Sequence, residues 1–213
     1  MRGAVLAGGA ASRYGGQPKG LLELGGQRIL DRVVDAVAAA VGELPLLVAN
    51  APAASSWRPD LRTVPDARPQ CGSLGGIYTA LVSGNDRDPV LCVAWDMPFV
   101  PAALLRALIA QASAGGYDAF LPESDGRRGV EPLCAVYGPA CAEPVAQALD
   151  SGDLRAIGFH GAVRVGRLAI DAVRQFGEPS RLFFNVNSPE DLVRAEELWA
   201  RGSGADDGHR GAT

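Results

Sequence analysis

Apolar positions follow two alternating rhythms along the chain. Short apolar runs at 5–7, 44–49, 61–64, 118–121 and 132–137 predict strands. Residues 90–95, Val-Leu-Cys-Val-Ala-Trp, form a continuous apolar run. A strand with no polar side is buried on both faces, the mark of a central parallel strand. Between these runs the period changes. Ile29, Val33, Val37 and Val41 recur at four-residue steps and predict a helix over 29–41. Further helices are expected at 74–82, opening on glycines, at 101–112 with Pro101 in its first turn, at 139–149 and at 189–200. The stretch 163–173 is less periodic and reads as strand-rich. The order is α/β: a mostly parallel sheet with helices on both faces. Ligands in such folds sit beyond the carboxyl ends of the strands. Residues 202–213 carry no apolar pattern and are expected to be a disordered tail behind a single domain, 1–201.

Charge and cysteine usage narrow the classes. A net charge of −4 over 213 residues argues against a nucleic-acid surface, which needs a basic patch. No apolar run reaches the length of a membrane span and the N-terminus lacks a signal-peptide pattern, so a cytoplasmic protein is expected. Cys71, Cys92, Cys134 and Cys141 are scattered, without the close pairs of a zinc site. Cys92 and Cys134 fall in apolar runs and read as buried thiols. His160 is expected in a surface or loop position, and His209 in the tail is read as inert.

Candidate chemistry begins directly after the first strand. Leu6-Ala7-Gly8-Gly9 leads through Ser12, Arg13 and Gly15 to Lys19, the sole lysine among nineteen arginines. Glycines let backbone amides approach a ligand, and a compact ammonium beside them suits phosphate. The spacing matches neither a Walker A loop nor the Gly-x-Gly-x-x-Gly fingerprint. Lys19 is expected on an exposed loop. Asp96 ends the apolar run 90–95 and precedes Met-Pro-Phe, so it faces the crevice, where a carboxylate can hold Mg2+. The alternative is a turn residue before Pro98. If 183–187 is extended, Asn185 and Asn187 project from one face. Ser188, Pro189 and Asp191 read as a helix cap. Asp66 closes a short strand, and Gly72 to Gly76 open a helix whose amides can approach a base or phosphate.

These motifs, in this order, resemble the molybdenum cofactor guanylyltransferase family. That family has Leu-Ala-Gly-Gly, Ser-x-Arg-Met-Gly and Lys-x-Leu-Leu, matched by Leu6 to Gly9, Ser12-Arg13, Gly15 and Lys19 to Leu22, with Tyr14 in place of Met. Its Asp-Met-Pro is matched by Asp96 to Pro98. Its Asn-x-Asn-Thr-Pro-Glu-Asp-Leu is matched from Asn185 to Leu192 with Ser188 for Thr, and its Gly-Pro-Leu-Gly/Ala-Gly by Gly72 to Gly76 with Ser73 for Pro. The resemblance covers 3–200. It implies a single Rossmann-like three-layer nucleotidyltransferase domain that transfers GMP from GTP to Mo-molybdopterin and releases pyrophosphate. It implies catalytic Lys19, Arg13 and Asp96, with Asp96 as the Mg2+ ligand and Asn185 and Asn187 near the metal and triphosphate. Leu6, Ala7, Gly8, Gly9, Lys19, Asp66, Gly72, Gly76 and Asp96 would bind nucleotide. Arg127, Arg128, Pro132 and Arg155 would receive the pterin. Molybdoenzymes or their chaperones would receive the product. A cytidylyltransferase of the same pterin uses Leu-Ala-Ala-Gly in the related family, and Gly8 here leaves room for a purine. A sugar-1-phosphate nucleotidyltransferase would need a Gly-x-Gly-Thr-Arg-Leu loop, which is absent. A regulatory nucleotide-binding module would not need Asp96 beside Lys19.

Overall fold

The computed structural model describes residues 1–8, 18–84 and 88–206, the segment 202–206 by its backbone alone. Strand β1 (Arg2–Ala7) is followed, after the undescribed stretch, by a single 3-10 turn (Lys19–Leu21) and a small hairpin, β2 (Glu23–Leu24) and β3 (Gln27–Arg28). Then come α1 (Ile29–Val41), β4 (Leu46–Ala49), α2 (Ala54–Trp57), β5 (Thr63–Val64), α3 (Gly72–Val82) and β6 (Val90–Ala94). The second half holds α4 (Ala102–Gly115), β7 (Ala119–Pro122), β8 (Cys134–Tyr137), α5 (Ala142–Asp150), β9 (Val165–Leu168), α6 (Ile170–Arg174), α7 (Pro179–Leu182) and α8 (Pro189–Asp206).

Seven strands form one sheet in the order β5-β4-β1-β6-β8-β7-β9. Only β8 runs antiparallel to its neighbours, β6 and β7. The sheet is therefore mostly parallel, as the alternation of periods predicts. The pleat of the central strands sorts two cores. Val5, Ala7, Leu91 and Val93 meet α1 and α4 through Leu30, Val33, Val37, Leu104, Leu105 and Leu108. Ala4, Leu6, Val90 and Cys92 meet α3 and α5 through Leu74, Ile77, Val145 and Leu149. The continuous apolar run at 90–94 is needed because β6 feeds both cores.

A third, smaller cluster decides where the site forms. Leu24 and Ile29 from the hairpin and α1 pack on Val186 and Ala195, with Leu22, Phe99, Phe184, Leu192 and Trp199 around them. It fixes the start of α8 beside the turn that follows the glycine-rich loop, although the two are far apart in sequence.

Several boundaries differ from the sequence reading. No strand forms at 183–187, which follow α7 directly. The strand-rich expectation at 163–173 holds for Val165–Leu168 only. Residues 170–173 belong to α6, whose first N–H, on Ile170, donates to Glu123 Oε2 at 2.9 Å. Pro101 is the extended residue before α4, not part of its first turn. The helix at 189 runs to Asp206, so the expected boundary at 201 falls inside it. Extending an existing helix orders one residue per bond, far easier than starting one. The remaining tail, 207–213, lies outside the described residues, as does His209.

Candidate active site

β1 and β6 lie side by side, with Leu6 opposite Ala94 and the Trp95 N–H donating to the Leu6 carbonyl at 3.2 Å. Both strands end at the same crevice. β1 delivers Gly8 there, and β6 delivers Asp96, which is 7% exposed. When the described chain resumes at Pro18, the 3-10 turn swings Lys19 back over the end of β6. Its ammonium donates to Asp96 Oδ2 and, at 2.7 Å, to Asn187 Oδ1. The Lys19 side chain is only 17% exposed. This corrects the expectation of an exposed position: Asp96 and Asn187 engage the ammonium.

Asn187 is held from both sides. The Val186 N–H donates to the Asp96 carbonyl at 3.0 Å. The Asn187 N–H donates to Asp191 Oδ2 at 3.0 Å, and the Asp191 N–H to Ser188 Oγ at 3.2 Å. This reciprocal cap confirms the reading of Ser188 and Asp191 and is worth about 0.5–2 kcal/mol for the Ser side alone. Asn185, paired with Asn187 in the sequence, makes a different contact. Asn185 Nδ2 donates to the Phe183 carbonyl at 2.9 Å.

A close ion pair this far from water needs both partners, since either charge alone would be left poorly solvated. Asp96 Oδ1, however, is buried and has no hydrogen-bond partner among the described residues. A buried carboxylate oxygen left over in this way calls for an occupant. It suits a divalent cation held mainly by substrate phosphates and water, with one protein carboxylate. Among the described residues no group of three or more His, Cys, Asp or Glu forms an all-protein metal cage.

The nucleotide side is built from neighbouring strand ends. Leu6 and Ala7 are buried in β1, so they can offer a ligand their backbone only. Gly8 is exposed, and a methyl group added there would meet nothing within 4 Å among the described residues. Asp66, just beyond β5, forms a reciprocal pair with Asn50, just beyond β4: Asn50 Nδ2 donates to Asp66 Oδ2 at 2.6 Å, and the Asp66 N–H to Asn50 Oδ1 at 2.8 Å. Sequence reasoning missed Asn50, though its place after an apolar run resembles that of Asp96. Buried Thr79 was missed as well; it anchors the following loop, accepting from the Ala67 N–H at 2.9 Å. Gly72 opens α3 with φ +57° and is exposed. Gly76 is buried against Leu6 and faces the core rather than the crevice. Gln70 holds a left-handed φ of 63°, rare for a side-chain-bearing residue. Gly9 and Arg13 lie outside the described residues.

A second region adjoins this one. An open cleft of about 530 Å³ is lined by Ser124, Gly126, Arg127, Arg128, Val130 and Glu131. Both arginines are exposed. Glu131 is the exception, a mostly buried carboxyl whose Oε1 accepts the Leu133 N–H at 3.0 Å. Burial holds its pKa above the usual range, against that hydrogen bond and Arg128, and the negative charge of Asp96 pushes the same way as burial. The cleft and the Lys19 site thus feel each other electrostatically. The structure does not bring Pro132 or Arg155 to the cleft lining. Pro132 is buried, its carbonyl accepting the Tyr137 hydroxyl at 2.7 Å. Arg155 is 77% exposed and chelates Asp153, whose pKa its hydrogen bonds lower to about 2. Cys92 and Cys134 are buried, and desolvation raises both thiols. His160, in a short 3-10 turn, has its pKa lowered first by burial and then by Arg167.

A mostly parallel α/β sheet with a lysine and an aspartate meeting at the ends of its two central strands defines a nucleotide-handling enzyme of the nucleotidyltransferase class. The comparisons agree. The family described as the MobA-like NTP transferase domain matches residues 3–165, and the chain belongs to it. Over 92% of this chain and 95% of its own length, the molybdenum cofactor guanylyltransferase of Cereibacter sphaeroides is 35% identical. The solved structure of molybdopterin-guanine dinucleotide biosynthesis protein A from Archaeoglobus fulgidus superposes with TM-score 0.79 at 28% identity, covering 94% of this chain and all of that one. The same fold recurs, at 20% identity and TM-score 0.62, in a manganese complex of a Mycobacterium tuberculosis protein, covering 92% of this chain and 97% of that one.

Proposed function

We propose that this nucleotidyltransferase transfers GMP from GTP to the phosphate of Mo-molybdopterin, forming the guanine dinucleotide and pyrophosphate. The observation that carries the reading is the convergence of Lys19, Asp96 and Asn187 at the carboxyl ends of β1 and β6. The acceptor phosphate is already an anionic nucleophile, so no strong general base is needed. The task is to bring two anions together and to stabilise charge growing on the α-phosphate and the leaving pyrophosphate. Lys19 supplies a cation at the strand ends. Asp96 would hold Mg2+ through its unpartnered Oδ1, with Asn187 beside it. The ion, when bound, neutralises triphosphate charge and fixes the phosphates in line. Arg13 is assigned to the same charge, on its sequence position alone.

Arg127 and Arg128 are exposed donors suited to an incoming phosphate, and their cleft borders the Lys19 site. We assign them the molybdopterin. Arg155 is assigned no part, since its guanidinium is engaged by Asp153. The setting proposed is the cytoplasm, with molybdoenzymes or their chaperones taking the product. No helix among the described residues is long and apolar enough to cross a membrane. The test is pyrophosphate release with ATP, GTP, CTP and UTP in turn, each with Mo-molybdopterin and Mg2+. GTP should be the donor used. A preference for CTP, or release that ignores the acceptor, would overturn the proposal.

A further inference from the structure

Lys19 and Asp96 are not the only facing pair at the strand ends. The next residue on one side, Gly20, lies against the previous residue on the other, Trp95. A methyl group added at Gly20 would stand 2.2 Å from Trp95 Cε3 and 2.8 Å from Cδ2 and Cζ3. The backbone at Gly20 is not in the left-handed region, so its conformation does not require glycine. Among the described residues, the three atoms nearest to an added side chain all belong to the indole. That ring cannot easily retreat. Trp95 is 4% exposed and stacks on Trp57, with centroids 5.3 Å apart and planes 17° from parallel. Its backbone is bonded to β1. The turn is tied as well: the Leu22 N–H donates to the Lys19 carbonyl at 3.2 Å, and the Ile29 N–H to the Leu22 carbonyl at 2.9 Å.

We propose that Gly20 is a positioning residue for Lys19, with the Trp95 ring as the platform on which the turn rests. The absence of a side chain lets the turn lie directly on the indole, and this depth brings the ammonium between Asp96 and Asn187. A side chain at 20 lifts the turn and withdraws the ammonium from the crevice. Relieving a 2.2 Å approach takes a movement of roughly 1 Å, and a misplacement of about that size can cost on the order of 10²-fold in rate. The inference rests on the assignment of Lys19 to the reacting phosphates.

The experiment is a cycle of four variants, Gly20→Ala, Lys19→Ala, the two combined, and Gly20→Ala with Trp95→Val, with Trp95→Val as reference. Single-turnover pyrophosphate release from GTP is measured for each, alongside thermal melting. Gly20→Ala should melt cooperatively and lose on the order of 10²-fold in rate. In the Lys19→Ala background the same change should lose almost nothing more, because residues that act as one unit are not additive. In the Trp95→Val background, where the ring is gone, Gly20→Ala should again be nearly silent. Near-wild-type rate in Gly20→Ala, the same fold-loss in all backgrounds, or loss of cooperative melting would each overturn the proposal. Full activity in Lys19→Ala would remove the phosphate assignment underneath it, a result separate from the behaviour of Gly20.

Discussion

The two halves of the crevice are built differently. At the ends of β1 and β6 the polar groups already touch: Lys19 bridges Asp96 and Asn187, and Asn187 is locked by the cap of α8. In the adjoining cleft Arg127 and Arg128 stand exposed, and the structure gives neither a fixed carboxylate partner among the described residues. The first region resembles an electrostatic device set before substrate arrives, which is where rate enhancement comes from. The second resembles a landing surface whose arginines become ordered only by what they bind. The contrast teaches that chemistry and acceptor binding should separate kinetically, although the charge on Asp96 reaches Glu131.

The largest expected effect is at Asp96. Asp96→Asn removes the anionic ligand and leaves the Lys19 ammonium without its counter-charge. Turnover at saturating Mg2+ should fall by about 10²–10³-fold, with a lower melting temperature. Wild-type activity at low Mg2+ would return Asp96 to the status of a turn residue. Next comes Gly8→Ala. The added methyl meets no atom of the described residues within 4 Å, so the melting temperature should hold and the loss should be read in the ligand. GTP use should weaken by roughly 10–200-fold in kcat/KM, without conversion to CTP. Unchanged kcat/KM for both donors would remove Gly8 from base selection.

The smallest expected effect concerns Glu131 and is read in stability. Burial raises its folded pKa above the unfolded value. Its contribution is therefore fully present below the ordinary Glu range and is lost as pH rises through the raised value. The melting temperature of wild type relative to Glu131→Gln should fall as pH is raised across that window. A difference that grows with pH would mean the carboxylate, not the acid, is the form the fold favours.

Much of the architecture is legible from periodicity because the core is sorted by it. Val33, Val37 and Val41 of the four-residue steps are the face of α1 on the sheet, Ile29 joins the small cluster with Val186, and the run at 90–94 serves two cores at once. Lys19 and Asp96 were also legible, one from its solitude and its glycines, the other from its place after a buried strand. What failed depended on tertiary geometry. The pairing of Asn185 with Asn187 started from a strand at 183–187, and no strand forms there. Arg155 lies outside the lining of the Arg127 and Arg128 cleft, and nothing in the sequence around a surface arginine records which cleft it borders. Asn50 and Thr79 carry no pattern beyond their own identity, and the burial that makes Glu131 unusual comes from packing that no local signal records.

The most direct measurement is a side-by-side kinetic comparison of Lys19→Ala with the Arg127→Ala/Arg128→Ala double variant, varying the Mo-molybdopterin concentration at saturating GTP and Mg2+. Lys19→Ala should lose roughly 10²–10³-fold in kcat per folded molecule, with little change in acceptor KM. The arginine variant should keep most of its kcat while its acceptor KM rises by roughly 10–100-fold, the scale of one charge-assisted hydrogen bond. Loss of kcat in the arginine variant with a wild-type rate in Lys19→Ala would contradict the division of labour between the two regions.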